Sequence, residues 1–462
     1  MERSYRFLCR LFGACFLCCA AALLLGNGTI LAVALIPVCY YGAHRLPNFP
    51  KFTLFLFLFT FLLDFAWCFV AGNVIESDFK TLFEAARKLL AGDLSFNSST
   101  YFTLWSYQLG FVSWEAMWLA LWNDPMCLKL VNCLLSAGSV CLLYRLVLPH
   151  VRPAAARTAA LCLAVFPTAA TLCSVLTNQI PGAFFLVLGL WLLAGQEPRR
   201  LGFWRYPLAG LSMQVGNLLR PEGILILAAV GAWGVFSLLR RRKAWRGTVC
   251  ALLALLAVYF ATGWAADRIV IATGLSPYGL GNQFPAWKFV CGLNPETGGS
   301  YAADDLSALA ETFGADHLPT AQTDALARQL IGQRLRRSPG QWLAFLSKKL
   351  TILWKNLGTY WAFRDLELWH PTFNRYVRPV VENFDRALVF LVMALAAVGL
   401  LRKKEREPEE YLPYFVFFAA FAAFLPIEVQ PRYAYLPDLF LFAAGAFGLD
   451  RLGTLAERKG IL

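Results

Sequence analysis

Asp78 is the carboxylate best placed to act on a substrate. It sits in Glu76-Ser77-Asp78-Phe79, directly after a long apolar run, in what the pattern reads as the first turn of a helix. The dipole of such a helix keeps a first-turn carboxylate ionised. That makes Asp78 a modest general base, working mainly through position, with help on the scale of about 10²–10⁴ in rate. The same dipole makes first-turn acids common as plain capping groups, so residue type alone leaves both roles open. Three cations stand in comparable places: Arg432 between Pro431 and Tyr433, Arg220 before Pro221-Glu222, and Lys288 after Trp287. A guanidinium fork matches the oxygens of a phosphate. Arg432 could equally snorkel from a span end, and Arg220 could simply pair with Glu222. Asp64 lies inside an apolar run, where a charge costs roughly 2.5–3.5 kcal/mol, and it reads as neutral or structurally paired.

The elements that must hold these groups are membrane helices. Of 462 residues, 58% are hydrophobic and 15% charged, against roughly 25% charged in soluble domains. A water-soluble enzyme, a disordered chain and a fibrous repeat are thereby excluded. The apolar residues come in long runs and do not alternate over ~10-residue segments, which speaks against a membrane β-barrel. The expected fold class is an all-α polytopic membrane protein with roughly twelve transmembrane helices. Candidate spans are an N-terminal run to residue 25, then 29–41 and 52–71, then stretches near 126–147, 158–174, 178–195, 206–219, 222–239, 247–266, 387–401, 411–426 and 433–449. With this assignment the basic clusters at 3–10, 44–51, 145–157, 199–205, 240–243, 402–406 and 451–459 all fall on one side, which the positive-inside rule makes cytoplasmic. It requires that 101–122, rich in Trp and Tyr, lie at the outer surface without crossing. The formal charge of +13 then marks cytoplasmic loops and contact with anionic membrane lipid, not nucleic acid. The cysteines, nearly all in apolar runs, read as small hydrophobes.

Four regions follow: N-terminal spans over 1–51; a transmembrane module over 52–266 with a first outer loop at 72–125; a second outer loop over 267–386; and C-terminal spans with a cytoplasmic tail over 387–462. In the first loop Ser77 is the expected cap of a helix that stops at Gly92. Phe79, Leu82, Phe83, Ala86, Leu89 and Leu90 share one face, and Lys80, Glu84, Arg87 and Lys88 the other, with Glu84 and Lys88 spaced as an ion pair. The pattern predicts an amphipathic helix lying on the membrane. In the second loop Tyr278, Phe284 and Trp287 suit either sugar stacking or membrane contact. Ser338 and Pro339 open a second surface helix. Its apolar face carries Trp342, Phe345, Leu353 and Trp354, while Lys348, Lys349 and Lys355 are expected to stay wet.

An acid at the end of an early span, followed by Ser77-Asp78-Phe79, Ala85-Ala86 and Leu89-Leu90-Ala91-Gly92-Asp93, resembles the first outer loop of GT-C fold glycosyltransferases. The resemblance is closest to the bacterial branch related to protein O-mannosyltransferases. Leu218-Leu219-Arg220-Pro221-Glu222-Gly223, the stretch from Gly292 to Gly299 and Glu428-Val429-Gln430-Pro431-Arg432-Tyr433 agree with it in order. One departure stands out: many relatives carry adjacent Asp-Glu where this chain has Ser77 between Glu76 and Asp78. The resemblance implies transfer of a sugar from a polyprenyl-phosphate carrier to a glycan or protein acceptor, at the outer face of a bacterial plasma membrane. It makes Asp78 the general base, Arg432, Arg220 and Lys288 the cations for the donor phosphate, and Glu76, Glu222 and Tyr433 further substrate contacts. It leaves open a divalent metal as cofactor. A lipid-linked glycan transporter would need charges along mid-span, where they are scarce; a glycan polymerase or ligase would share the same site.

Overall fold

The computed structural model describes residues 28–45, 49–72, 74–240, 245–354, 360–401 and 407–459, and all regular structure among them is helical. In chain order the helices are α1 (Thr29–Arg45), α2 (Phe52–Val70), α3 (Ser77–Leu90), α4 (Thr100–Leu104), α5 (Leu109–Leu119), α6 (Pro125–Val147), α7 (Pro153–Ala164), α8 (Pro167–Ser174), α9 (Gln179–Ala194) and α10 (Arg205–Leu219). There follow α11 (Gly223–Arg240), α12 (Trp245–Ala272), α13 (Ala286–Gly292), α14 (Ala303–Ala310), α15 (Ala321–Leu335), α16 (Pro339–Trp354), α17 (Arg364–Trp369), α18 (Pro371–Leu400), α19 (Leu412–Phe424) and α20 (Tyr435–Arg458).

Every stretch beyond residue 28 that the sequence assigns to a span is helical, yet the expected count of twelve is not confirmed. Among the described residues six helices are individually long and apolar enough to cross a membrane: α2, α6, α11, α12, α18 and α20. Two bent pairs raise this to at most eight: α7 with α8, bent by 40°, and α9 with the segment 197–219 that contains α10, bent by 85°. The physical reason is interruption. Pro167 starts α8 afresh after α7, and Pro221 separates α10 from α11. α19, at 13 residues, is shorter than the ~20 needed to span. The first candidate span and the basic cluster at 3–10 lie outside the described residues.

Helix α20 is the spine of the bundle. Every residue from Tyr435 to Asp450 is buried, so this helix has no lipid-facing side over that length. Gly448 lets α18 reach it: a Cβ there would sit 1.9 Å from the carbonyl oxygen of Leu395. α2 is the opposite case. Only the stripe Phe52, Leu56, Thr60, Asp64 and Cys68 is buried, one residue per turn. Leu54, Leu58, Leu62 and Phe69 point outward. Asp64 therefore faces protein, where its Oδ2 accepts from the Cys173 thiol at 3.7 Å.

Side-chain pairs and chain direction divide the bundle into two ends. At one, Arg152 meets Asp450 at 3.0 Å and Glu457 at 2.5 Å, and Arg145 meets Glu197 at 2.9 Å. Arg45 and Arg240 close α1 and α11 at this same end. At the other, Lys129 near the start of α6 donates to the carbonyl of Gly72 just past α2, and Arg220 after α10 reaches Asn178 just before α9. The segment 101–122 forms the short α4 and α5 with a 3-10 turn at Ser106–Gln108 between them, and these lie at this second end.

Candidate functional site

The site is built at the second end, starting from α3. Glu76 precedes this helix without a capping side-chain bond, and Ser77 is its first residue, in the left-handed region at φ +59°. The expected Ser77 cap is thus corrected. The helix does stop at Gly92, whose φ is +76°; the Asp93 amide then donates back to Lys88 at 2.9 Å. Glu84 pairs with Lys80 at 3.8 Å, and Lys88 turns to Ser95. The apolar face of α3 is not laid on lipid as expected. Leu82, Phe83, Ala85 and Ala86 are buried against Phe111, Val112 and Ala116 of α5. The Trp- and Tyr-rich segment, short of spanning, serves as the floor on which the acid-bearing helix rests.

Asp78 projects from this helix half exposed, and Arg432 approaches it, Nη2 to Oδ2, at 3.9 Å. The guanidinium stacks 4.9 Å above the Phe79 ring, and its Nε is buried without a hydrogen-bond partner among the described residues. Arg432 comes from the turn Pro431–Ala434 at the head of α20. Residues more than 350 positions apart in sequence are thereby joined, as the two sequence motifs required.

The other cations are held by acids of their own. Arg220 donates to Glu222 at 2.6 Å and to Asn178 at 2.8 Å, and it lies 5.0 Å over the Tyr433 ring. Asn178 donates on to Gln108 at 3.3 Å, and Gln108 to the Tyr101 hydroxyl at 3.2 Å. Lys288 donates to Glu428 at 2.6 Å, and Gln430 donates to the same carboxylate at 2.9 Å. Burial alone would raise the Glu428 carboxyl, but Lys288 overrides it and holds the group below its ordinary value. Burial would lower the Lys288 ammonium, yet Tyr433 and Glu428 hold it well above. Burial raises the hydroxyls of Tyr101 and Tyr107; Asp78 adds to the first, and Lys288 pulls against the rise of the second. Both tyrosines therefore stand within the field of these charges. Glu76 does not join Asp78: it turns to Arg364, 3.3 Å away. Among the described residues no three His, Cys, Asp or Glu side chains come together as a metal ion would need.

Lys349 supports the arrangement. It was expected to stay wet, but it is 1% exposed, and it donates to the carbonyls of Gly292 at 2.6 Å, Leu425 at 2.9 Å and Ile427 at 2.6 Å. The Val429 amide donates to Gly299 and the Glu428 amide to Lys288, each at 2.8 Å. The loop from Gly292 to Gly299 thus braces the strand-like run that presents Arg432. Ser338 and Gln341 cap α16 reciprocally, as the sequence indicates. Phe284 and Trp287 are core residues of the second loop, 1% and 2% exposed, and stack on neither sugar nor membrane. Lys355 lies outside the described residues. Sequence reasoning missed Tyr101, Tyr107, Gln108 and Asn178 as members of the site. For Tyr101, Tyr107 and Gln108 the only local signal was the density of polar and aromatic residues in 101–122, and Asn178, at the edge of a candidate span, gave none.

Residues 119–264 match the family model described as dolichyl-phosphate-mannose-protein mannosyltransferase. No curated protein matches the chain in sequence. Among solved structures it is similar to the archaeal oligosaccharyltransferase AglB from Archaeoglobus fulgidus in complex with an inhibitory peptide and a dolichol-phosphate, at 14% identity and a TM-score of 0.47. It is similar also to the apo form of the Archaeoglobus fulgidus oligosaccharyltransferase, at 14% identity and a TM-score of 0.49. Each alignment covers 88% of this chain and 51% of the other, so the chain spans about half the length of the structures it matches. Over residues 119–264 the chain is similar to the dolichyl-phosphate-mannose-protein mannosyltransferases, in agreement with the GT-C resemblance that its own motifs carry.

Proposed function

We propose that this chain is a membrane glycosyltransferase that moves a sugar from a polyprenyl-phosphate donor to an acceptor at the outer face of the cell membrane. The observation that carries the reading is Asp78 beside Arg432, 3.9 Å apart, at the end of the bundle opposite Arg45, Arg145, Arg152 and Arg240. The charge rule favours a cytoplasmic place for those arginines, which supports Asp78 on the outer side. Asp78 takes the proton of the acceptor hydroxyl as that oxygen attacks the anomeric carbon from the face away from the phosphate. The bond from that carbon to the carrier phosphate oxygen breaks, and the phosphate leaves with the electron pair. Arg432 receives the charge that grows there through its guanidinium, whose Nη2 stands 3.9 Å from Asp78. Arg220 and Lys288, already neutralised by Glu222 and Glu428, form the wall behind it. Tyr433, under Arg220, completes that wall.

The test is incubation of purified protein with a panel of polyprenyl-phosphate sugars, following carrier-phosphate release by mass. Asp78→Asn should fold and insert normally and lose at least about 10²-fold in transfer. Normal turnover by that variant would overturn the mechanism.

A further inference from the structure

A hydrogen-bonded relay runs from Arg220 to Tyr101. Arg220 donates to Asn178 Oδ1 at 2.8 Å, Asn178 Nδ2 to Gln108 Oε1 at 3.3 Å, and Gln108 Nε2 to the Tyr101 hydroxyl at 3.2 Å. Its direction is dictated at the Arg220 end. A guanidinium has only donors, so the Asn178 carbonyl must face it. The Asn178 amide nitrogen is thereby turned to Gln108, which must answer with its own carbonyl. What Gln108 then offers Tyr101 is an N–H. Reversing either amide would set donor against donor. Tyr101 is therefore an acceptor in the relay, and its own O–H proton is left over. Among the described residues nothing accepts that proton.

Tyr101, in α4, packs against the apolar core that α3 shares with α5, and α3 carries Asp78. Burial raises its hydroxyl and Asp78 adds to the rise, while Arg432 pulls back only weakly. It therefore stays a neutral O–H, and receiving an N–H bond strengthens it as a donor. The leaving phosphate belongs with Arg432; the group that must come to Asp78 is the acceptor hydroxyl. Such a hydroxyl has one proton and two lone pairs. Its proton goes to Asp78, and one lone pair forms the bond to the anomeric carbon as the carrier phosphate departs. The second lone pair is free for Tyr101, which keeps its own proton throughout. We propose that Tyr101 donates to the oxygen of the acceptor hydroxyl, and that Arg220, Asn178 and Gln108 are positioning residues that hold the Tyr101 proton available for it. This rests on the glycosyltransferase reading above and adds the group that orients the acceptor.

Steady-state kinetics on the full chain in phosphatidylcholine nanodiscs test this, with a panel of polyprenyl-phosphate sugars as donors and, as acceptors, a methyl hexoside and a Ser/Thr-containing peptide. Tyr101→Phe should raise the acceptor KM about tenfold, the scale of one hydrogen bond. It should leave the donor KM and kcat within about twofold. Gln108→Glu presents only acceptors, so Asn178 and the Tyr101 hydroxyl both donate to it and the acceptor loses its partner. Asn178→Asp makes Gln108 turn its amide over, with the same result. Each alone should match Tyr101→Phe, and neither should add to it in the double variant. A role in packing alone would raise both KM values and persist in the double variant. An acceptor KM unchanged in Tyr101→Phe, or a further loss when Gln108→Glu is combined with it, would overturn the inference and leave the glycosyltransferase reading standing. No carrier-phosphate release by the wild type with any donor would overturn both.

Discussion

Arg432 approaches a half-exposed carboxylate at 3.9 Å, while Arg220 and Lys288 grip theirs at 2.6 Å. The difference separates a cation that can change partner from two that cannot do so cheaply. Arg432→Ala should therefore lower kcat/KM by about 10²–10³-fold, the scale for losing one preorganised donor to a developing anion. Arg432→Lys should recover little, because an ammonium neither forks nor stacks on Phe79; steady-state kinetics with a polyprenyl-phosphate sugar would check both. Ser77 makes a second prediction at this scale. Its φ of +59° places a side chain where glycine is at ease, and such strain costs of order 1 kcal/mol. Ser77→Gly should raise the melting temperature in detergent, and Ser77→Val should lower it. Charged groups such as Asp78, Arg432, Arg220 and Glu222 were legible in the sequence because a charge beside an apolar run is costly and so conspicuous. Gln108 and Asn178 were not, since a hydrogen bond between residues 70 positions apart leaves no periodic trace.

Lys349 shows how a helix face can be misread and then explained. It was assigned to the wet side of α16 by residue type, but it follows Phe345 by four and precedes Leu353 by four, all three buried. The period put it inside; only its charge argued otherwise, and three backbone carbonyls satisfy that charge. Lys349→Met removes the three donors and leaves buried carbonyls unpaired, at about 1–3 kcal/mol for such a group. Faster hydrogen exchange across 425–434 should report it, with Arg432 losing its fixed position. Lys288 and Glu428 tie the same run from the other side. The Glu428 carboxyl is held below its ordinary 4.5 and the Lys288 ammonium above its ordinary 10.5. Their stabilisation is therefore present from above the first value to below the second, and it falls away in acid as Glu428 protonates. The difference in unfolding free energy between wild type and Glu428→Gln should be flat across neutral pH and shrink below about 4.5, and it should exceed the ~1 kcal/mol of an exposed pair. The apolar face of α3 was legible as a face, but what covers it was not: the pattern states that a stripe must be buried and is silent on whether lipid or α5 buries it.

At the scale of the whole molecule, apolar runs gave the helices their places, but the count of twelve spans is not confirmed where helices rely on neighbours more than on length. α8 is 8 residues long and α19 is 13, and such pieces persist because they pack on longer helices, not because each could cross alone. Among the long helices, Gly448 is one point of close approach, between α20 and α18. Gly448→Ala would drive a methyl group into the Leu395 carbonyl, part α18 from α20, and cost about 1–3 kcal/mol as overpacking, measurable as a lower melting temperature. The division into two ends makes the last prediction. Arg145, Arg152, Arg240 and Arg458 share one end, and Asp78, Glu76 and α5 share the other. By the charge rule the first of these is the proposed cytoplasmic end. In a cysteine-free background, Ala120→Cys, exposed just past α5, should react in intact cells with a membrane-impermeant maleimide. Lys459→Cys, exposed just past α20, should react only after the membrane is opened. The reverse pattern would turn the carboxylate toward the cytosol and remove the outward-facing acceptor from the mechanism.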